Sequence, residues 1–217
     1  MTEPALSACA ALTRRGDPDR FLSALTAPPD CRERLFALYA FNLEIARVAT
    51  MVSEPMLGLI RLQWWRESLD AIYAGEAPRR HEIVEPLAEA IRAADLPRAP
   101  FDRMLDARAR DLEAVPRPDR AALDAYLHDT GGALLALAAA ALAPGVEDLP
   151  AVEEAGYAFA AARFLCAAPA LEAAGVRPFP PGPDPSETAR ALAADGAAAL
   201  ARARRGAIPP AARPALR

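Results

Sequence analysis

Asp102 and Asp106 stand four positions apart, a spacing that puts two carboxylates on one helix face, where α-helical bundles hold divalent metals. Glu85 and Glu89 repeat that spacing. Arg103, Arg108 and Arg110 crowd the first pair, and ion pairing along a solvated face explains the pattern without a metal; the same reading holds for the glutamates. His81, at a helix start, and His128, within a helix, are too far apart for a zinc site or a Ser-His-Asp triad, and they read as capping or surface residues. Cys9, Cys31 and Cys166 form neither a disulfide framework nor a CxxC pair, which predicts a reducing compartment. The patterns GxSxG, HExxH, GxGxxG and GKS or GKT do not occur. All 25 basic residues are arginine, so no mechanism can rest on a lysine Schiff base or a P-loop lysine; coding bias in a GC-rich genome is the plain explanation.

These side chains must be carried by helices. Alanine supplies about a quarter of the 217 residues and aromatics only 6%, a composition that favours an all-α fold. With 53% apolar and 25% charged residues and a mean hydropathy of +0.05, the chain is neither disordered nor a polytopic membrane protein. A net charge of −4 and a pI near 5.3 argue against nucleic acid as the partner. The N-terminal stretch MTEPALSACAALTRRGDPDRF has its arginines after the apolar run, opposite to a signal peptide, and predicts a cytoplasmic protein. The run Ala133 to Pro144 falls short of the roughly 20 residues that span a bilayer and predicts a buried helix.

Helix punctuation predicts the element order. A first helix starts at Thr2-Glu3-Pro4 and stops at Gly16, and a second runs from Asp17-Pro18 to Pro28-Pro29. Asp30 with Glu33 opens a long helix through Val52 with Leu35, Leu38, Phe41, Ile45 and Val48 as its apolar stripe. Ser53 and Pro55 start the next, which turns Leu59, Leu62, Leu69 and Ile72 inward and closes at Gly75; the short link makes these two helices antiparallel neighbours. Of Trp64 and Trp65, about 100° apart, one faces the core and the other its rim. Further helices are expected near 82–94, 99–113, 118–142 and 150–173, with Leu96-Pro97 and Val115-Pro116-Arg117-Pro118 as separators. After the non-helical stretch VRPFPPGPDP, Asp184 or Ser186 starts a last helix to Arg205. Residues 1–208 are expected to form one domain and 209–217 a flexible tail.

Residues 38–76, LYAFNLEIARVATMVSEPMLGLIRLQWWRESLDAIYAGE, resemble the squalene/phytoene synthase family through Tyr39-Ala40-Phe41 and Arg61-Leu62-Gln63-Trp64-Trp65-Arg66. The likeness continues through Asp111-Leu112, Tyr126, Thr130-Gly131-Gly132 and Gly156-Tyr157-Ala158, taking in about residues 20 to 180. It implies a helical bundle of the isoprenoid-synthase type, here shortened at its C-terminus. In the family, two aspartate-rich motifs hold Mg²⁺ ions that neutralise a departing diphosphate, stabilisation that the reaction requires. By the same alignment, the first motif falls on Ala46, Arg47 and Thr50 and the second on Ala167 and Leu171, none of them a carboxylate.

That departure, with FNLEIARVATMVSEPMLGLIRLQWWRESLDAIY and the LCAAP and VRPFPP stretches, is similar to the synthase-like branch that acts in assembly of respiratory complex I. The resemblance implies a pseudoenzyme with no metal cofactor, partnered by a respiratory-complex subunit and peripheral at the inner membrane. Two alternatives stand beside it: a residual prenyltransferase or prenyl-diphosphate-binding enzyme with Mg²⁺, using Glu44, Asp102 or Asp106, and a carrier of a lipid or isoprenoid. For the last, the alanines at 133–143 and 155–168 are expected to line a cavity, with Glu44, Arg47, Asp111, Tyr126 and Arg163 as its polar groups and Arg47 and Arg163 as binders of an anionic head group.

Overall fold

A computed structural model describes residues 6–113, 117–182 and 184–216. The described secondary structure is entirely helical: α1 (Ala8–Gly16), α2 (Pro18–Leu25), α3 (Pro29–Ala46), α4 (Val48–Met51), α5 (Pro55–Tyr73), α6 (Val84–Ala94), α7 (Arg98–Arg110), α8 (Arg120–Leu127), a π-helical turn (His128–Gly132), α9 (Ala133–Leu142), α10 (Pro150–Ala173), α11 (Pro185–Arg205) and a 3-10 helix (Pro210–Leu216).

α3 is the central element. Leu35, Leu38, Phe41, Ile45 and Val48 are buried as their spacing predicts, and Phe36, Ala37, Tyr39 and Ala40 are buried too, because α1, α2, α6, α7 and α9 surround the helix. Phe41 is fully enclosed and meets Trp65 at 5.2 Å and Phe101 at 5.5 Å, both edge to face; burying such a ring contributes about 1.5–3 kcal/mol. Trp65 is the core tryptophan and Trp64 lies at the rim against His81. The His81 Nδ1 accepts from the Ile83 N–H, so that histidine caps its turn. α9 is apolar all round and buried at all but Ala136 and Leu142, as a core helix should be. A second cluster joins α8, α10 and α11 through Leu123, Tyr126, Phe164 and Leu192.

Gly131 and Gly132 let α10 approach the π turn closely. A Cβ on Gly131 would lie 2.7 Å from the Ala160 Cβ, and one on Gly156 would lie 2.9 Å from the Gly132 Cα. The Thr-Gly-Gly and Gly-Tyr-Ala steps are therefore the two sides of one helix crossing.

Several expectations are corrected. The start at Thr2-Glu3-Pro4 lies outside the described residues, and α1 begins after Ser7, whose Oγ accepts from the Ala10 N–H. Asp30 and Glu33 form no capping box, because Pro29 already occupies the first helical position. The long helix breaks at Arg47, and the one expected over 118–142 widens into the π turn. Val115 and Pro116, of the separator after α7, lie outside the described residues. Leu59 faces solvent with Met51, Met56, Leu57 and Ile60, since α5 packs on α7 and α4 and touches α3 through Trp65 on its other side. The expected flexible tail at 209–217 is instead a 3-10 helix over Pro210–Leu216 that packs on α9 and α2. Ala212 is fully buried there, and Ser23 Oγ donates to the Pro214 carbonyl at 2.6 Å, which satisfies both groups.

Candidate functional site

Where α3, α8, the π turn and α10 converge with the α1–α2 junction, they leave a half-open cavity of about 380 Å³, within the size range of small-molecule sites. Its apolar wall comes from Leu43, Ala46, Ala49, Ala160, Phe164 and Leu171. Its polar wall is dominated by two carboxylates, each surrounded by cationic donors.

The first is Asp17. It caps α2 by accepting from the Arg20 N–H at 3.2 Å, which places it at the helix junction, and its side chain is 2% exposed. Arg20 reaches it at 2.7 Å and Arg163, from α10, at 3.0 Å. Arg163 also touches Asp19, which is 83% exposed at the rim.

The second is Asp111, at the end of α7. It accepts from Arg117 at 2.7 Å, from Tyr126 Oη at 3.0 Å and from Arg108 at 3.2 Å. The Arg117 and Arg108 guanidiniums lie 4.8 Å and 5.3 Å from the Tyr126 ring centroid, and Arg108 also donates to Tyr126 Oη. Burial pushes the Tyr126 hydroxyl up to about 12, Arg108 and Arg117 acting against that shift and Asp111 with it, so the phenol stays protonated. Burial also works against the Arg108 charge, but Tyr126 and Asp111 outweigh it and raise that pKa, so the guanidinium stays charged.

Ala46, Thr50, Ala167, Leu171, Asp111, Tyr126 and Arg163 all line this one cavity, although they are scattered over more than a hundred residues of chain. Arg47 and Glu44 do not belong to its lining. Arg47 follows Ala46 and points about 100° away, where it pairs with Glu44 on the surface, so the expected roles of these two in the cavity are corrected. The alanines of 133–143 do not line it either: most of them are buried in the core among the helices packed on α9. Asp102 pairs with Arg98 and Asp106 with Arg66 of α5, both away from the cavity; these are the solvated ion pairs that their spacing predicts, with partners other than the nearest arginines in sequence. Glu85 and Glu89 are exposed. His128 stacks on Tyr157 at 4.9 Å.

Sequence reasoning missed Asp17, Arg20, Arg108 and Arg117. Asp17 was legible only as a helix start, and Arg108 only as a surface partner of Asp102 or Asp106. The readable signal for Arg117 is weak: an arginine between two prolines, whose Nε donates to the Pro178 carbonyl at 3.2 Å.

The synthase fold implies Mg²⁺, which takes a near-octahedral set of oxygens and is gripped by carboxylates together with phosphates. The residues do not fit it. Asp17 and Asp111 are the cavity's carboxylates, each already accepts from two guanidiniums, and they face Arg20, Arg108, Arg117 and Arg163. Among the described residues, no group of three or more His, Cys, Asp or Glu side chains is placed to hold a metal ion.

The family model for squalene/phytoene synthase matches residues 13–180. The mouse protein named NADH dehydrogenase (ubiquinone) complex I, assembly factor 6, is 32% identical over 149 residues, which take in 69% of this chain and 44% of that relative. The chain thus spans less than half the length of that relative. Presqualene diphosphate synthase of Rhodopseudomonas palustris is 30% identical over 100 residues, 46% of this chain and 35% of that enzyme. The crystal structure of squalene synthase HpnC from Alicyclobacillus acidocaldarius superposes with a TM-score of 0.78 at 19% identity, covering 95% of this chain and 86% of that one. At that identity the superposition speaks for the helical isoprenoid-synthase fold alone.

Proposed function

The chain belongs to the squalene/phytoene synthase family, and we propose that it is a non-catalytic member that assists assembly of a respiratory complex of the complex I type. One observation carries the reading: Ala46, Thr50, Ala167 and Leu171, where the family's metal-binding aspartates are expected, line a cavity whose two carboxylates are bound by arginines. A site of that charge opposes the Mg²⁺ that prenyl diphosphate joining needs. The mouse relative's name supports the assembly role. The outward apolar residues Met51, Met56, Leu57, Leu59 and Ile60 support a protein partner, because several large apolar side chains left exposed on one short segment are a mark of such interfaces. The proposal places the protein in the cytoplasm, peripheral at the inner membrane, with a respiratory-complex subunit as its partner.

The test is thermal unfolding with the thio analogue of farnesyl diphosphate, with and without Mg²⁺, together with affinity capture from cells that build the respiratory complex. No Mg²⁺-dependent rise in Tm and recovery of complex I subunits are expected. A rise that needs Mg²⁺ favours the second reading, a residual prenyltransferase, to which the likeness to presqualene diphosphate synthase gives some support.

A further inference from the structure

The apolar side chains that α4 and α5 turn outward are uncovered in the single chain. Met51, Met56, Leu57, Leu59 and Ile60, all within residues 51–60, are each between 42% and 63% exposed, which leaves about 500 Å² of apolar surface in water, as much as the largest apolar patch of a typical monomer. On α5 the outward stripe continues at helical spacing through Gln63 and Glu67, both exposed. Beside it runs a shallow groove of about 440 Å³ between α5 and α7, lined by Leu59, Ile60, Gln63, Trp64 and Ala109. Ridge and groove thus lie side by side on one surface.

The charges around the stripe carry both signs. Glu54 and Arg61 stand two turns apart on one edge of α5, both exposed and neither in an ion pair among the described residues. Arg66 pairs with Asp106 and Arg79 with Glu67, so the other charges of the rim cancel. An anionic membrane finds no net positive charge to hold here. A second copy of the same surface does find a complement, because contact about a two-fold axis sets each patch against itself with its helix reversed. With the axis level with the Gly58–Leu59 peptide and a rise of about 1.5 Å per residue, Glu54 of one chain comes within about 3 Å in height of Arg61 of the other, and Met56 within about 3 Å of Gln63 beside the other's groove.

We propose that this face pairs with the same face of a second copy of the chain, forming a weak two-fold dimer through antiparallel α5 helices. Burying the outward apolar residues on both chains removes about 1,000 Å² from water, where specific interfaces begin, so the pair dissociates on the order of tens of micromolar and exchanges freely. Met56, long and unbranched, is the side chain that adapts to the groove of the other copy, and Trp64 is the aromatic anchor in its wall. The dimer covers the face that the assembly reading gives to a respiratory-complex subunit, so copy and partner exclude each other there. Only that exclusion rests on the assembly reading; the pairing is a property of this chain alone.

Sedimentation equilibrium of the full chain from about 1 µM to about 1 mM brackets that affinity and tests the pairing. The average mass is expected to rise reversibly from that of the 23.0 kDa monomer toward twice that value and no further. Ile60→Glu enters the interface twice and should weaken pairing at least about ten-fold. Glu54→Arg sets like charges against each other and should weaken it by about three-fold or more, and adding Arg61→Glu should restore it. Leu22→Glu, at an exposed site on α2, should change nothing. Circular dichroism accompanies each variant, and because the apolar ridge and the charge pair are probed separately, misfolding of one leaves the other to decide. A chain that stays monomeric at about 1 mM, pairing that Ile60→Glu leaves intact or Leu22→Glu abolishes, or a double charge exchange that fails to restore it would overturn the proposal. Growth beyond the dimer would overturn it too, by showing a head-to-tail contact. Flotation of a monomer with phosphatidylcholine vesicles, lost in Ile60→Glu, would give the face to a lipid surface instead. Capture of respiratory-complex subunits is read separately, so the dimer and the assembly reading can fail independently.

Discussion

Arg117 and Asp111 are joined at 2.7 Å with the arginine 5% exposed, and the same carboxylate holds Arg108 at 3.2 Å. Among the described residues, Asp111 is thus the one acidic partner of two nearly buried guanidiniums. Replacing it by asparagine keeps the shape and leaves both cations uncompensated, which should cost about 3–5 kcal/mol. Urea unfolding of Asp111→Asn checks this; a loss below about 1 kcal/mol would mean that the cluster is hydrated and weakly coupled.

The crossing of α10 over the π turn makes a second demand. Alanine is a better helix former than glycine by up to about 1 kcal/mol, so on propensity alone Gly156→Ala should stabilise the chain. The new Cβ would stand 2.9 Å from the Gly132 Cα, a backbone atom that cannot move aside cheaply. The variant is expected to lose about 1–3 kcal/mol by overpacking, read as a lower Tm. A raised Tm would mean that the helices separate freely.

Thiol chemistry should distinguish the cysteines. Burial, with the charges of Glu33 and Glu82 adding to it, pushes the Cys9 thiol up to about 12, whereas Cys166 is exposed next to the cavity residue Ala167. Iodoacetamide at pH 8 should therefore modify Cys166 in the folded protein and reach Cys9 only after unfolding, as mass spectrometry of the peptides can follow. Equal rates at both would show that the α1 region opens readily.

Acid should loosen α11 early. The Arg202 side chain holds the Glu154 carboxyl below its usual range, and hydrogen bonds from the Ser186 side chain and backbone do the same for Asp184 at the helix start. Both shifts are depressions, so the stability they confer is present above the unfolded values near 4 and is lost as the pH falls through the lower folded ones. Both groups are open to solvent on one side, with the Glu154 side chain 30% and that of Asp184 43% exposed, and screening keeps their effect small. Hydrogen exchange should show α11 less protected at pH 3 than at pH 6, and Glu154→Gln should remove part of the difference.

The exposed apolar face bears on the assembly proposal. Met56 and Ile60 are 63% and 59% exposed on α5. Their double replacement by glutamate should leave Tm almost unchanged, as surface substitutions do, while abolishing capture of the respiratory-complex partner. Undiminished capture would move the partner surface elsewhere.

Local chemistry made much of the helix order readable. Asp17-Pro18 and Asp184-Pro185 each place a capping carboxylate before a proline at the first helical position, and Gly75, at φ +77°, takes a conformation that other residues rarely adopt. Those signals act within a few residues. Which way Leu59 faces, or that Ala212 sinks into the core, depends on what lies across from it, and α5 and the 3-10 helix meet partners distant in sequence. The same limit divides the site. Ala46, Thr50, Ala167, Leu171, Asp111, Tyr126 and Arg163 could be placed together because resemblance supplied the tertiary frame. Arg20, Arg108 and Arg117 could not, because an arginine a turn from a carboxylate looks the same in sequence whether the pair is in water or in a cavity. Arg47 and Ala46 show the finest grain: one step along α3 separates a cavity residue from a surface ion pair.

The 2.6 Å bond from Ser23 to the Pro214 carbonyl joins positions 191 residues apart. A chain emerging from the ribosome therefore carries α2 and α9 well before the segment that covers them exists. Until residues 210–216 arrive, the side of α9 beneath Ala212 stays wet, and the nascent protein carries an adhesive apolar strip. Chaperone engagement during synthesis, and the rate at which the 3-10 helix seats afterwards, should then govern how much of this protein escapes aggregation, a kinetic vulnerability set by topology and not by the depth of the native well.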